Sequence, residues 1–155
     1  MPATNIVKDF FIKHVTPSID DWRKSPNDER LAMNLANNLN NLVEYYWHFA
    51  LANDRSKVFH KKTLKEFRSE IATNNINLGL IRDVADAHKH LQLSRHDRIL
   101  TNADQTASQK VGYGQAYGMC YGGGELLVIT LDNGKEEYFP IIAEAAYKYW
   151  NNELK

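Results

Sequence analysis

From Leu31 onward the apolar residues Leu31, Leu35, Leu39, Leu42, Tyr46 and Phe49 recur at steps of four or three, and the pattern runs on to about Asn53. That is the spacing of one face of an α-helix, sustained with its opening turns over roughly seven turns. Ser25-Pro26-Asn27-Asp28 just before it is a start signal, with Ser25 as the capping residue and Asp28 three positions on. A stripe this long has to be buried against other helices, and the surrounding sequence supplies them. The opposite face carries Asn34, Asn37, Asn38, Asn40 and Asn41. Asparagine is a poor helix former, so these positions are filled for another reason, either solvation or a polar partner surface.

The rest of the first 93 residues is also helical in pattern. Asn5 to Val15 predicts a short amphipathic helix with Ile6, Phe10 and Val15 inward. It is expected to stop at Thr16-Pro17, because the residue before proline is pushed out of the helical region. Thr16 then caps a second short helix with Pro17 in its first turn. Thr63-Leu64-Lys65-Glu66 is a capping box opening a helix to about Thr73, with Leu64, Phe67 and Ile71 inward. Asn74 to Asn77 reads as a turn. Leu78 to Leu93 is the next helix, with Leu80, Ile81, Val84 and Leu91 on one side.

After Ser94 the period changes. Arg98 to Thr101 reads as a short edge strand. Gln109 to Tyr121 alternates bulky residues (Tyr113, Gln115, Tyr117, Met119, Tyr121) with small ones, which is a strand pattern. Gly122-Gly123-Gly124 is a turn, and Glu125 to Leu131 is an apolar strand. Asp132-Asn133-Gly134-Lys135 predicts a hairpin turn with Gly134 at positive φ, and Glu136 to Phe139 returns. From Pro140 a last helix, Ile141 to Glu153, presents Ile142, Ala146, Tyr149 and Trp150. The expected fold is α+β: a bundle of about four helices, a small antiparallel sheet and a C-terminal helix. It is one domain over 1–155, with a helical part (1–93), a β part (94–140) and the final helix (141–155).

Composition narrows the functions open to such a fold. Nineteen basic residues balance nineteen acidic ones, which argues against a DNA-coating protein or a polybasic membrane binder. A hydrophobic fraction of 43% with three Trp, eight Tyr and six Phe excludes a disordered chain. Cys120 stands alone, so neither an intrachain disulfide nor a cysteine-based zinc cage can form. The longest aliphatic run, Leu126-Leu127-Val128-Ile129, falls far short of the roughly 20 residues that cross a bilayer. Lys8, Asp9 and Lys13 interrupt what a signal peptide would keep apolar, so a cytoplasmic location without membrane contact is expected.

The densest polar cluster is Arg82-Asp83-Val84-Ala85-Asp86-Ala87-His88-Lys89-His90. At about 100° per residue, His88 falls with Ile81, Val84 and Leu91, while Arg82, Asp86 and Lys89 fall opposite, with Asp83 and His90 between. His88 is therefore expected to face the core or a partner. Asp86 and His90, four apart, could join His96 and His60 around a divalent ion, although local geometry ties only two of them. No metal or cofactor is predicted. The glycines at 112, 114, 118 and 122 to 124 lack the spacing and following helix of a dinucleotide loop. Tyr113, Tyr117 and Tyr121 could stack bases, and residues 57 to 70 carry five basic residues against two acidic ones, which leaves RNA open as a partner. Cys120 reads as an inert packed thiol.

Two stretches carry a resemblance. Leu80 to Leu91 followed by Ile99 to Thr106, and Tyr121 to Gly124 followed by Leu126 to Gly134, resemble a family of uncharacterised bacterial proteins over most of the chain. Arg82 and Asp83, with His88 six residues beyond the arginine, are similar to the motif of HEPN proteins, helical dimers that include many ribonucleases. That similarity implies His88 as acid or base at a 2′-hydroxyl and phosphate, Arg82 as phosphate stabiliser, and a symmetric dimer. The β-rich second half departs from that family. Two functions stand against each other here. One is a non-catalytic, homodimeric interaction domain; the other is an HEPN-like, metal-independent RNA endonuclease, or its inactive relative, with Arg82, Asp83 and His88 as its site.

Overall fold

The computed structural model describes residues 6–53, 63–110 and 125–155. The chain opens with α1 (Ile6–Phe10), a π-helical turn (Phe11–Val15) and α2 (Thr16–Lys24), which succeed one another without a break. Pro17 therefore does not stop the helix. Its ring would crowd the carbonyl four residues back, and it has no N–H to give. The wider π turn absorbs this, with the Thr16 N–H donating to the Phe11 carbonyl five residues back, while the Ser18 hydroxyl donates to the His14 carbonyl at 2.6 Å. Thr16 is thus an in-helix residue and not a cap. The inward stripe is Val7, Phe11, Val15 and Ile19, while Ile6 stays 53% exposed and Phe10 stacks half-buried on Tyr45.

Helix α3 (Glu29–Asn53) is the long helix that the apolar spacing predicts. Its cap is Asp28, whose Oδ1 accepts the Leu31 N–H at 3.1 Å; Ser25 instead accepts the Asp28 N–H through its carbonyl. Leu35, Leu39 and Leu42 are fully buried. Helix α4 (Leu64–Asn74) carries the capping box, with both Thr63–Glu66 hydrogen bonds formed. The expected four-residue turn after it contracts to Asn75, whose side chain accepts the N–H groups of Asn77 and Leu78 and so caps α5 (Ile76–His90). A Cβ on Gly79 would lie 2.9 Å from the Ala72 carbonyl oxygen, so this glycine sets how closely α4 and α5 approach.

Helix α5 stops at His90, three residues short of expectation, because Leu91 turns into the left-handed half of backbone space (φ 65°, ψ −41°). The chain then enters an irregular connection and not the edge strand expected at Arg98–Thr101. Gln92 bridges to Asn102, and the Leu93 N–H donates to the Thr101 carbonyl at 2.7 Å. A 3₁₀ turn (Ala103–Gln105) leads into β1 (Thr106–Lys110), earlier than the strand expected from Gln109. The tyrosine–glycine alternation, Cys120 and the triple-glycine turn lie outside the described residues, as do Lys57, His60, Lys61 and Lys62. The sheet is antiparallel in the order β1-β2-β3, with β2 (Glu125–Thr130) central and β3 (Glu136–Tyr138) on its other edge. Thr106 pairs with Ile129 and Val128 with Tyr138. Helix α6 (Phe139–Glu153) takes Pro140 in its first turn and packs on β2 and α5.

The fold is the α+β arrangement expected, with one apolar core running from Val7 to Leu154. Ile142, Ala146 and Trp150 of α6 are buried in it, with Leu127 and Ile129 from the sheet. Among the described residues no helix is long and apolar enough to cross a membrane.

Two glycine substitutions test this geometry. Gly134 has φ +84°, a Cβ there would meet nothing within 4 Å, and its N–H closes the turn on the Leu131 carbonyl. Only the third loop residue takes positive φ, as in a type I turn with a following left-handed glycine. Gly134→Val is expected to cost about 1 kcal/mol or more from backbone strain alone, read as a lower urea midpoint. Gly79→Ala should also destabilise: the propensity gain of about 1 kcal/mol is outweighed by a contact with rigid backbone. A raised midpoint for Gly79→Ala would contradict the close α4–α5 approach.

Candidate functional site

Helix α5 runs through the middle of the bundle, packed by α3, α4 and α6. From Leu78 to Ala85 every residue is buried, so the helix has no single solvent face there. Arg82 is 6% exposed and Asp83 only 1%. In the last turn the helix emerges, and His88, Lys89 and His90 are exposed. The expectation is reversed for two residues, since Arg82 is buried and His88 exposed, while Asp83, expected between the two sides, is buried as well. The helical-wheel argument fails because it assumes one buried side, whereas here burial changes along the axis.

A buried carboxylate must be paired and hydrogen-bonded. The Oδ2 of Asp83 accepts the Ile99 N–H at 2.7 Å and lies 3.5 Å from the Leu100 N–H. Its Oδ1 takes Nη2 of Arg95 and lies 3.7 Å from Nε of Arg82. Arg82 reaches on to Oδ2 of Asp97 at 2.7 Å, and Arg95 also holds Asp86. The Oδ1 of Asp86 accepts from Asn40 of α3 at 3.4 Å, and Oδ1 of Asn40 accepts from Arg68 of α4 at 3.3 Å. Three arginines and three aspartates thus join α3, α4, α5 and the connection after it. Arg95, Asp97, Asn40 and Arg68 carry as much of this network as the α5 residues do.

The same connection is held from the sheet side. Oε1 of Gln105 accepts the N–H groups of Thr101 and Asn102, and its Nε2 donates to the Thr130 carbonyl and to Asp132. The Thr101 hydroxyl donates to Asp132 at 2.8 Å. Burial pushes the Asp83 carboxyl above the usual range, opposed by the Ile99 N–H and the two arginines. The Arg82 hydrogen bond holds Asp97 below it, and the Gln105 and Thr101 bonds do the same for Asp132.

The residues singled out for chemistry are therefore divided between two places. Arg82, with Asn40 and Arg68, lines a cavity of about 10 Å³, the size of one water molecule. His88 lines a separate open groove with Glu29, Arg30, Met33, Asn34 and Asn37. Asp86 is occupied by Arg95 and Asn40, and His90 and His96 are exposed. Among the described residues no three His, Cys, Asp or Glu side chains are grouped to hold a metal ion. The asparagine face of α3 is not simply solvated either. Asn40 is buried, and Asn34 and Asn38 both donate to Ser18 of α2, at 3.2 and 2.7 Å.

No family model matches the chain, and no curated protein or solved structure is significantly similar to it. The network can be tested on its own terms. Asp83→Ala takes one of two carboxylates from Arg95, which keeps Asp86, and leaves the buried Nε of Arg82 and two backbone N–H groups without a counterpart, so it is expected to cost about 3 kcal/mol, read from urea unfolding. Asp97 behaves differently with pH. Its folded-state value is lowered, so its contribution is full above the ordinary carboxylate value of 3.8 and is lost as pH falls through the folded value. The stability gap between wild type and Asp97→Asn should be open at neutral pH and close in acid; a gap independent of pH would remove the Arg82–Asp97 pair.

Proposed function

We propose that this chain is a non-catalytic, cytoplasmic interaction domain that works as a homodimer. The observation that carries this is the division of the polar residues: Arg82 and Asp83 are consumed inside the protein, while the outward groove holds amides and one charge of each sign. A residue set built for acid–base chemistry would converge on one open cleft. This set braces the fold instead. Because α5 is buried from Leu78 to Ala85, it offers no apolar face to a partner there, and support for a dimer rests on the groove between α3 and the end of α5.

A second reading is metal-independent RNA cleavage with His88 as acid or base, as the HEPN similarity implies. It is favoured by the exposure of His88 in an open groove beside Arg30. Arg82 would have to leave Asp97 to serve it.

Both readings entail a dimer, and they separate on RNA. Light scattering is expected to report twice the mass of one chain at micromolar concentration, and single-stranded RNA is expected to stay intact through long incubation. His88→Ala should shift stability by no more than about 0.5 kcal/mol, as an exposed residue does. RNA cutting by wild type that falls by about 10²- to 10⁴-fold in His88→Ala would instead establish the nuclease.

A further inference from the structure

We infer that a second copy of this chain docks in the groove between the start of α3 and the end of α5, in a two-fold contact where Glu29 and Arg30 of one protomer meet Arg30 and Glu29 of the other. This names the surface of the self-association proposed above, and it rests on that proposal.

A two-fold interface brings a patch against itself, so the patch must complement itself. The groove meets that condition. Its volume is about 440 Å³, and Glu29 and Arg30 set opposite charges side by side at its rim. The Arg30 side chain is 80% exposed, and its contact with Asp28 is a loose 3.6 Å, so it is free to reorient. Met33, only 4% exposed, forms an apolar floor. Asn34 and Asn37 line the walls, and a carboxamide both donates and accepts, so like can pair with like across a two-fold axis.

The asparagines also say which face is meant for contact. Asn34 and Asn38 serve Ser18, and Asn40 serves Asp86 and Arg68. Asn37 makes no such bond among the described residues, yet it sits half-buried in the groove at a cost in helix propensity. A nucleic-acid backbone is a poorer occupant, since Glu29 repels phosphate beside the Arg30 that would attract it. A strongly acidic or basic peptide meets the same mixed signs.

The test is a charge exchange within one chain, with sedimentation or light scattering across a dilution series. Because each contact occurs twice in a two-fold dimer, Arg30→Glu or Glu29→Arg alone should weaken dimerisation about tenfold or more. The double variant E29R/R30E restores the complementarity and should return to within about threefold of wild type, with thermal melts showing all variants folded. Dimers indifferent to both single reversals would overturn this surface while leaving self-association intact. A wild type that stays monomeric at all concentrations would overturn the self-association reading itself. Single-stranded RNA bound by a monomeric wild type and lost in Arg30→Glu, read by fluorescence anisotropy, would give the groove to nucleic acid instead.

Discussion

The Asp83 carboxylate is the junction on which the arrangement depends. It is buried to 1% exposure, yet it reaches across to the backbone of Ile99 and Leu100 and to Arg95. Those contacts pull the chain off the axis of α5 and seat Leu93 and Leu100 in the core. The position of the sheet against the helices depends on that path. Leu91 shows the cost, since a β-carbon residue at φ 65° stores strain that only firm anchoring on both sides can hold. A glycine would be the ordinary choice there.

Buried ion pairs are weak sources of net stability, because removing charge from water offsets much of the attraction between the partners. Their value lies in what they exclude. A hydrophobic residue at position 83 could pack against many neighbours, whereas a carboxylate accepts only a site that supplies donors. The network therefore specifies one path for residues 91–102 rather than adding greatly to the depth of the core. Its charges cancel within the cluster, which fits a chain with no net charge.

The fold was largely legible in the sequence, and the site was not. The steps of four and three through Leu35, Leu39 and Leu42, the Thr63–Glu66 box and the Asp132–Lys135 turn are local signals, and local hydrogen bonds or stripes answer them directly. Pro17 and Leu91 misled because tertiary context overrode the local rule. A π turn accommodated the proline, and the Asp83 network ended a helix whose residues would have continued it. The orientation of Arg82 and His88 was out of reach for a related reason. A helix surrounded along most of its length has no polar side to find, and the partners of Asp83 lie 12 to 17 residues away in an irregular segment. One signal was available: Arg95 and Arg98 follow closely after the helix that carries Asp83 and Asp86, and cations are what a buried carboxylate needs nearby.

The connecting segment is tied at both ends, to α5 through Asp83 and to the hairpin through Gln105 and Asp132. A chain with a helical front and a β-rich back could have come apart in two stages, the weaker half melting first. Here neither half can loosen without breaking bonds that the other half supplies. Helices and sheet are therefore expected to melt together, with tryptophan fluorescence from the bundle and amide exchange in β2 reporting one common transition.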